Sequence, residues 1–470
     1  MIFTAILCCA YTYNFNIAAK LLEELIAYAR QFSQKIGHHF TKKTIRLTAM
    51  TGCAAMEIGG ETTARVFKYL QKNDHATQAD LEDFADTRMN IIDEISFANL
   101  DVVTKISANL KMFTECQEFQ YGRIPICFLG DFCQLEPIKG KCIYTNSCGL
   151  YWHQALNCMV ELKGTHRFSN CSDYKRIMTS LRKGIFTEED RDMVNGRVID
   201  DSNVKMPDSA KVRYATFFNK LRYMVNMDVV DSHLSKYHKG CTATNIPKSA
   251  IVIKATMKWG GRRRVPLSCD QRKVLFEQCP EYTIKDKNSR RCDPFLCLFD
   301  GCHVMGIENE DVENGIANGT TCIFKKVYLK HGATLQPIEL NGYWVNSVSV
   351  EDVEFLELEW QDSSRFIDRF RIEAKTWTSE VDFPMEEDGL KFKCKTKICL
   401  HQFPIVLNHA TTGHKLQGKS VDQLVVAEWS KTKNWAYVVL SRVRSLDGLL
   451  LMEPIPRDID FKPSDDYIYI

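Results

Sequence analysis

Met89-Asn-Ile-Ile-Asp-Glu94 is a short, mostly apolar run that ends on two adjacent carboxylates. An apolar run of that length closed by polar residues reads as a buried strand. Downstream, Leu100 to Phe113 is helical in pattern, and Ile124–Leu129 reads as a second strand ending at Gly130-Asp131. Upstream, Ile45-Arg-Leu47 reads as a strand running into the Thr51-Gly52 turn. Ala18, Leu21, Leu22, Leu25, Ile26, Ala29 and Phe32 recur at helical spacing, which predicts an amphipathic helix over about 16–36. The apolar start, Met1 to Ala10, has no basic flank and reads as a buried first strand rather than a secretory signal. Strands alternating with helices, with polar residues at strand ends, predict a mostly parallel α/β sheet. Such sheets place ligands outside their carboxyl edge.

Further along, Val212–Phe218 reads as a strand followed by a helix, and residues 226–300 read as irregular and basic, with Arg262-Arg263-Arg264 and Arg290-Arg291. Thr321–Val327, Tyr343–Val350, Val353–Trp360 and Phe392–Leu400 are β-type segments separated by turn residues, which suggests a small β module. Pro404–Leu407 and Ala436–Leu440 are expected to resume the parallel-sheet pattern, and Gln423–Ala427 reads as a strand. The chain thus reads as two α/β lobes, the second interrupted by a β insertion. With 470 residues, 26% charged and 45% apolar, it has the composition of an ordinary soluble protein of several domains. A net charge of +2 confines any nucleic-acid surface to a local groove. The 19 cysteines are odd in number and scattered, which suits a reduced intracellular protein rather than a disulfide framework. Cys292, Cys297 and Cys302 with His303 lack the close pairing of zinc ligands and read as buried thiols. No run reaches membrane-spanning length, so no membrane partner is expected.

Asp93-Glu94 carries the strongest chemical signal. Nucleotide hydrolysis needs one carboxylate to hold Mg²⁺ through water and another to orient or deprotonate the attacking water. Alone, such a pair also suits a solvated strand end. Gly130-Asp-Phe-Cys-Gln-Leu-Glu-Pro137, at the end of the next strand, adds Gln134, a residue type able to contact a γ-phosphate or its attacking water. Gly413-His-Lys-Leu-Gln-Gly-Lys-Ser420 also satisfies the P-loop pattern G-x-x-x-x-G-K-[ST]. Its context is wrong, because a P-loop follows a strand and opens a helix, whereas Lys419-Ser420 leads into the strand at 423–427. A circularly permuted P-loop nucleotidase using 413–420 stays open on the pattern alone.

Taken together, the segments resemble a known motif series. Thr48-Ala-Met-Thr-Gly-Cys-Ala-Ala55 resembles helicase motif Ia, Ile91–Ser96 motif II, 130–137 motif III, and Gly164-Thr-His-Arg-Phe168 motif IV. His414–Ser420 resembles motif V and Ala436-Tyr-Val-Val-Leu-Ser-Arg-Val-Arg-Ser445 motif VI. Their order and spacing resemble the petite-integration-frequency (PIF) branch of superfamily-1B DNA helicases, relatives of RecD, over about 17–225 and 300–455. The resemblance implies two RecA-like lobes with an SH3-like insertion: 1–150 as lobe 1, 151–320 and 401–470 as lobe 2, and 321–400 as the insertion. It implies ATP and Mg²⁺ as nucleotide and metal, and 5′→3′ movement on single-stranded DNA with unwinding at duplex junctions. It also implies roles in DNA repair, recombination or telomere maintenance, a nuclear location and a monomer. Asp93 is the implied Mg²⁺ ligand through water, with Glu94, Gln134, Arg167 and Arg442 as the other catalytic residues and Arg442 as an arginine finger. Asp93, Gln134 and Arg442 also form the implied nucleotide contacts. Thr48, Thr51, Gly52, His414, Lys415 and Gln417 are the implied DNA contacts; a His usual in the family after Thr63 is Ala64 here.

One motif is missing. The phosphate-binding motif I should join the first strand to the first helix, at about Cys8-Cys-Ala-Tyr-Thr-Tyr-Asn-Phe-Asn16, yet these residues include no Gly, Lys or Ser. Without glycines the backbone cannot readily wrap a phosphate, and without Lys the charge loses its main partner. A truncated or mis-spliced reading of the gene, a degenerate paralogue and an unusual nucleotide site all remain open; the abrupt start favours the first. A non-catalytic nucleic-acid-binding relic of a helicase is the rival in another functional class.

Overall fold

The structure, a computed structural model, describes residues 4–9, 15–71, 75–137, 140–145, 149, 151–152, 154–162, 168, 171–200, 204–208, 211–260, 265–268, 271–272, 284–285, 291–308, 316–360, 369–387 and 390–461. The chain forms two compact units: 1–205 with 311–315 and 413–470, and 206–310 with 316–412.

The first unit is organised by six strands: β1 (Thr4–Cys9), β2 (Ile45–Ala49), β3 (Glu61–Thr62), β4 (Met89–Asp93), β5 (Ile126–Gly130) and β6 (Cys158–Leu162). They run in the order β3-β2-β4-β5-β1-β6, and every pairing is parallel. The helices are α1 (Phe15–Lys35), α2 (Gly52–Glu57), α3 (Thr63–Phe67), α4 (Gln78–Phe84), α5 (Leu100–Phe113) and α6 (Ser172–Arg182). The expected parallel sheet is therefore present, and α5 has the predicted bounds. Its start is fixed by Asn99, whose side chain accepts from the Val102 N–H. β5 begins two residues later than expected, because Arg123 turns the chain at φ 64° and Pro125 has no N–H to give a ladder.

Period-two burial puts a core on each face of the sheet. Ile91 and Leu129 pack with Leu22, Ala54, Ala55 and Ile58 on the α1/α2 side. Ile92 and Phe128 pack with Phe67, Phe84, Ile106, Leu110 and Phe113 on the α3–α5 side. The apolar stripe of α1 is only partly used: Leu22 is buried, while Leu21 is 40% and Phe32 51% exposed. Later in this unit Leu424–Val426 and Leu449–Leu451 pair in parallel.

Ala436–Leu440 corrects an expectation. It lies in a helix, Trp435–Leu440, not a strand, and all six residues are buried. A short, wholly apolar run satisfies either period, so spacing could not decide between them.

In the second unit Arg213–Thr216 pairs in parallel with Ala410–Thr412, and a helix follows at Asn219–Tyr237. The described part of 226–300 is far from irregular. The helix continues to Tyr237, and Ala250–Lys254, Thr256–Trp259 and Phe295–Phe299 are strands. Arg262–Arg264 and Arg290 lie outside the described residues, as does the Arg291 side chain. The expected β segments are present as Thr321–Leu329, Tyr343–Ser349, Val353–Trp360 and Leu390–Gln402. Some of them also pair with strands outside 321–400: Tyr343–Ser349 joins 250–254 and Leu390–Gln402 joins 256–259. Ile405–Leu407 is a strand, but it pairs antiparallel with His303–Gly306, against the parallel expectation. Among the described residues no helix is long and apolar enough to cross a membrane.

Candidate active site

The parallel sheet delivers the site. β1, β4 and β5 end on one carboxyl edge, at Cys9, Asp93 and Gly130, and β1 lies between β5 and β6. The expected motif I position, at the β1–α1 connection, therefore starts from a strand end beside that of β5. Residues 10–14 of that connection lie outside the described residues.

Asp93 and Glu94 are both buried. The Glu94 N–H donates to Asp93 Oδ1 at 2.7 Å, which locks the pair locally. Glu94 sits at φ 54°, ψ 40°, a left-handed conformation that is uncommon for Glu and that turns its side chain off the strand direction. Its Oε2 is buried without a hydrogen-bond partner. Burial first and the Asp93 charge second push the Glu94 carboxyl up to about 8, against the pull of Arg442. A carboxyl so placed can exchange a proton with a water near neutral pH.

Gln134 follows β5. Its backbone N–H donates to the Asp131 carbonyl at 3.1 Å, closing a tight loop. Its side chain is buried, with Oε1 unpartnered. Two orphaned oxygens, on Glu94 and Gln134, fit a polar ligand such as a hydrated cation or an attacking water. Asp93 supplies the carboxylate that could hold a divalent cation through water.

The pseudo-Walker octapeptide comes to the same place, though not as a P-loop. Gly413–Leu416 is a single helical turn, and Lys419-Ser420 leads on towards the strand Leu424–Val426. This is the reverse of strand, loop, helix. Each glycine has a reason unrelated to phosphate. A Cβ on Gly413 would lie 2.7 Å from Trp435 Nε1. Gly418 adopts φ 82°, and a Cβ there would meet Glu94 Oε1 at 3.5 Å. Gln417 is buried with both amide atoms unpartnered, while Lys415 is exposed and His414 half-buried.

Arg442 is 1% exposed. Its Nε donates to the Val438 carbonyl at 2.7 Å, and Nη1 reaches the carbonyls of Leu416 and Lys419 at 3.4 Å each. It thus braces the 416–419 turn against Glu94. Arg167 and the rest of 164–167 lie outside the described residues; Phe168 is buried edge-on to Tyr174.

At the neighbouring strand end, Thr48 is buried and its hydroxyl donates to the Ile91 carbonyl at 2.8 Å, inside the sheet. Thr51 Oγ1 caps α2 by accepting from the Ala54 N–H at 3.2 Å, which leaves its O–H to donate. Gly52 opens that helix and is half-buried.

Three residues here escaped sequence reasoning: Arg182, Tyr437 and Asn434. Arg182 lies outside every motif, and the only signal that could have found it is the helical spacing of the apolar residues that precede it in α6. Cys297 and Cys302 are fully buried thiols, raised by that burial, and His303 faces His409 rather than a cysteine cluster. The Cys292 side chain lies outside the described residues.

No family model matches the chain. The ATP-dependent DNA helicase PIF1 of Xenopus laevis is 23% identical over 435 residues, covering 90% of this chain and 56% of that protein. The ATP-dependent DNA helicase Pif1 of Bdellovibrio bacteriovorus is 23% identical over 453 residues, covering 94% and 84%. The chain thus spans little more than half the length of the vertebrate relatives it matches. Among solved structures, Bacteroides Pif1 bound to single-stranded DNA superposes with a TM-score of 0.63 at 18% identity, over 100% of this chain and 92% of that one. Pif1 helicase from Candida albicans gives 0.63 at 18%, over 100% and 94%. At that identity these two likenesses establish the fold alone, that of RecA-like lobes.

Proposed function

The chain belongs to the PIF family of DNA helicases, and from that membership we propose that it is an ATP-dependent DNA helicase. On this reading it moves 5′→3′ on single-stranded DNA and opens duplex at junctions, in repair, recombination or telomere maintenance of nuclear DNA. The lobe boundaries at 150, 320 and 400 and the SH3-like character of 321–400 belong to the same proposal.

The observation that carries it is the buried Asp93-Glu94 pair with Glu94 Oε2 unpartnered, facing the motif V turn that Arg442 braces. Mg²⁺ supplies neutralisation of phosphate charge when bound. Asp93 would hold it through water. Glu94 would take the proton of the attacking water, its raised affinity for a proton suiting a base that works near pH 7. Gln134 would orient that water with its unpartnered amide oxygen or meet the terminal phosphate with its Nε2, and Arg442 would offset the charge that develops there. Arg167 is assigned the same role on its motif alone. Thr51, Gly52, Lys415 and His414 are the DNA contacts the geometry favours, because they reach the surface wholly or in part. Thr48 supports them from within the sheet, and Gln417 lies on the nucleotide side of its turn.

The test is ATP hydrolysis with and without single-stranded DNA, followed by unwinding of forked duplexes carrying a 5′ or a 3′ tail. Hydrolysis stimulated by DNA, and unwinding from the 5′ tail alone, are expected. The lack of Gly and Lys across 8–16 favours a second reading, a DNA-binding relic. Single-stranded DNA binding with no ATP binding would decide for it.

A further inference from the structure

The loop Asp131–Gln134 is gripped from two sides by groups that do not belong to the reacting set. On one side, Arg182 at the end of α6 has a side chain only 8% exposed. Its Nη1 donates to both carboxylate oxygens of Asp131 at 3.0 Å and to the Tyr437 hydroxyl at 3.2 Å. Tyr437 donates in turn to Asp131 Oδ2 at 3.5 Å, and Asp131 Oδ1 accepts the Cys133 N–H at 3.0 Å. On the other side, Asn434 Nδ2 donates to the carbonyls of Gln134 at 2.8 Å and Phe132 at 3.4 Å. Asn434 stands at φ 63°, a left-handed conformation that Asn tolerates, immediately before the helix Trp435–Leu440. Its side chain does not cap that helix; it is spent on the loop.

We propose that Arg182 and Asn434 are positioning residues, forming a clamp of protein groups that fixes the Gln134 loop to the short helix leading to Arg442. The proposal rests on the reading of Gln134 and Arg442 as nucleotide contacts. Every clamp bond to the Gln134 residue is to its backbone, so the unpartnered side-chain Oε1 is left for a ligand while its anchor is immobilised. The intervening helix has six residues and spans about 9 Å. At its far end the Arg442 N–H bonds the Val439 carbonyl at 3.1 Å, so displacement of Gln134 is passed to the guanidinium through one rigid turn and a half. A buried Arg–carboxylate pair adds little net stability over an apolar pair, because desolvation offsets the attraction. Here its distinctive product is geometry.

The discriminating variant is Asn434→Gly. Glycine keeps the positive φ without strain and removes both donors. In the unliganded protein, amide hydrogen exchange of 131–137 is expected to rise about tenfold, as for the loss of one buried hydrogen bond, with β2 and α5 unchanged. ATP turnover with DNA should fall by a similar factor, with KM for ATP unchanged. Arg182→Lys, which keeps the charge, should show a smaller effect of the same kind. Unchanged exchange at 131–137, or faster exchange spread evenly over the unit, overturns the clamp. If the wild-type chain hydrolyses no ATP, the functional reading fails, and the exchange measurement still decides the clamp.

Discussion

Glu94 keeps a buried oxygen, Oε2, that no group among the described residues satisfies, and on the proposed reading it meets the attacking water there. Glu94→Gln keeps the volume and removes the base. Hydrolysis should drop by at least about a hundredfold while binding of a fluorescent ATP analogue persists. Retained turnover would remove Glu94 from the chemistry. Lys419 tests the other end of the argument. If 413–420 were a phosphate cradle, Lys419→Ala would abolish nucleotide binding; the observed turn predicts an affinity within about twofold of wild type by the same titration. Gly413→Ala is the more damaging change, because the new methyl would press on Trp435 Nε1, at about 1–3 kcal/mol in a denaturant melt. Asp93 and Glu94 were legible because they close a strand with polar residues, and Gln134 because it lies in the polar loop that follows the next strand. Arg182 and Asn434 were not, because their partners are backbone carbonyls and a carboxylate distant in sequence, and no local period records such contacts.

At the scale of elements, the motif V turn divides its residues between two tasks. Gly418 faces Glu94 and Gln417 is buried beside it in sequence, whereas Lys415 is exposed. Lys415→Ala should weaken single-stranded DNA binding, and the slope of log K against log salt should fall by about one phosphate contact. An unchanged slope would place Lys415 off the DNA path. The elements themselves were read unevenly. α5 and β4 follow from a clear period and clear ends, and so does the strand Val353–Trp360. The helix Trp435–Leu440 does not, since Trp-Ala-Tyr-Val-Val-Leu is apolar throughout and buried on all sides. One local signal went unread: Asn434 just before it, a residue that tolerates the left-handed turn by which the chain enters the helix.

At the scale of the molecule, the second unit carries a pH liability of its own. His303 and His409 are buried with their rings 5.1 Å apart and edge-on, and the Phe299 ring lies over His409. Burial first, then the neighbouring Arg213 charge, lowers His303 to about 3. Burial, His303, Arg213 and His233 together hold His409 well below its ordinary range. Arg213 is itself buried, with Nε and Nη1 unpartnered, so no counter-charge there offsets a proton on either ring. An unfolded imidazole takes its proton near pH 6.5, whereas these stay neutral far below that. Between pH 6.5 and about 3 the unfolded chain therefore binds more protons, and stability falls as pH falls. Each ring contributes a slope of up to about 1.4 kcal/mol per pH unit. Melts at pH 7.5 and 5.5 should show the loss, and His303→Gln should flatten it; equal slopes would remove His303 from the account.

The place of β1 in the first sheet has an engineering consequence. Because it runs between β5 and β6, it ends at Cys9 on the same carboxyl edge as Asp93 and Gly130. The fold thus offers a socket whose surroundings are already built. Grafting a glycine-rich segment ending in Gly-Lys-Thr over 8–16 is expected to raise ATP affinity at least about tenfold, because the Lys charge and backbone N–H groups would arrive beside carboxylates already in position. An affinity that fails to rise in the same titration would mean that the socket needs more than its missing part.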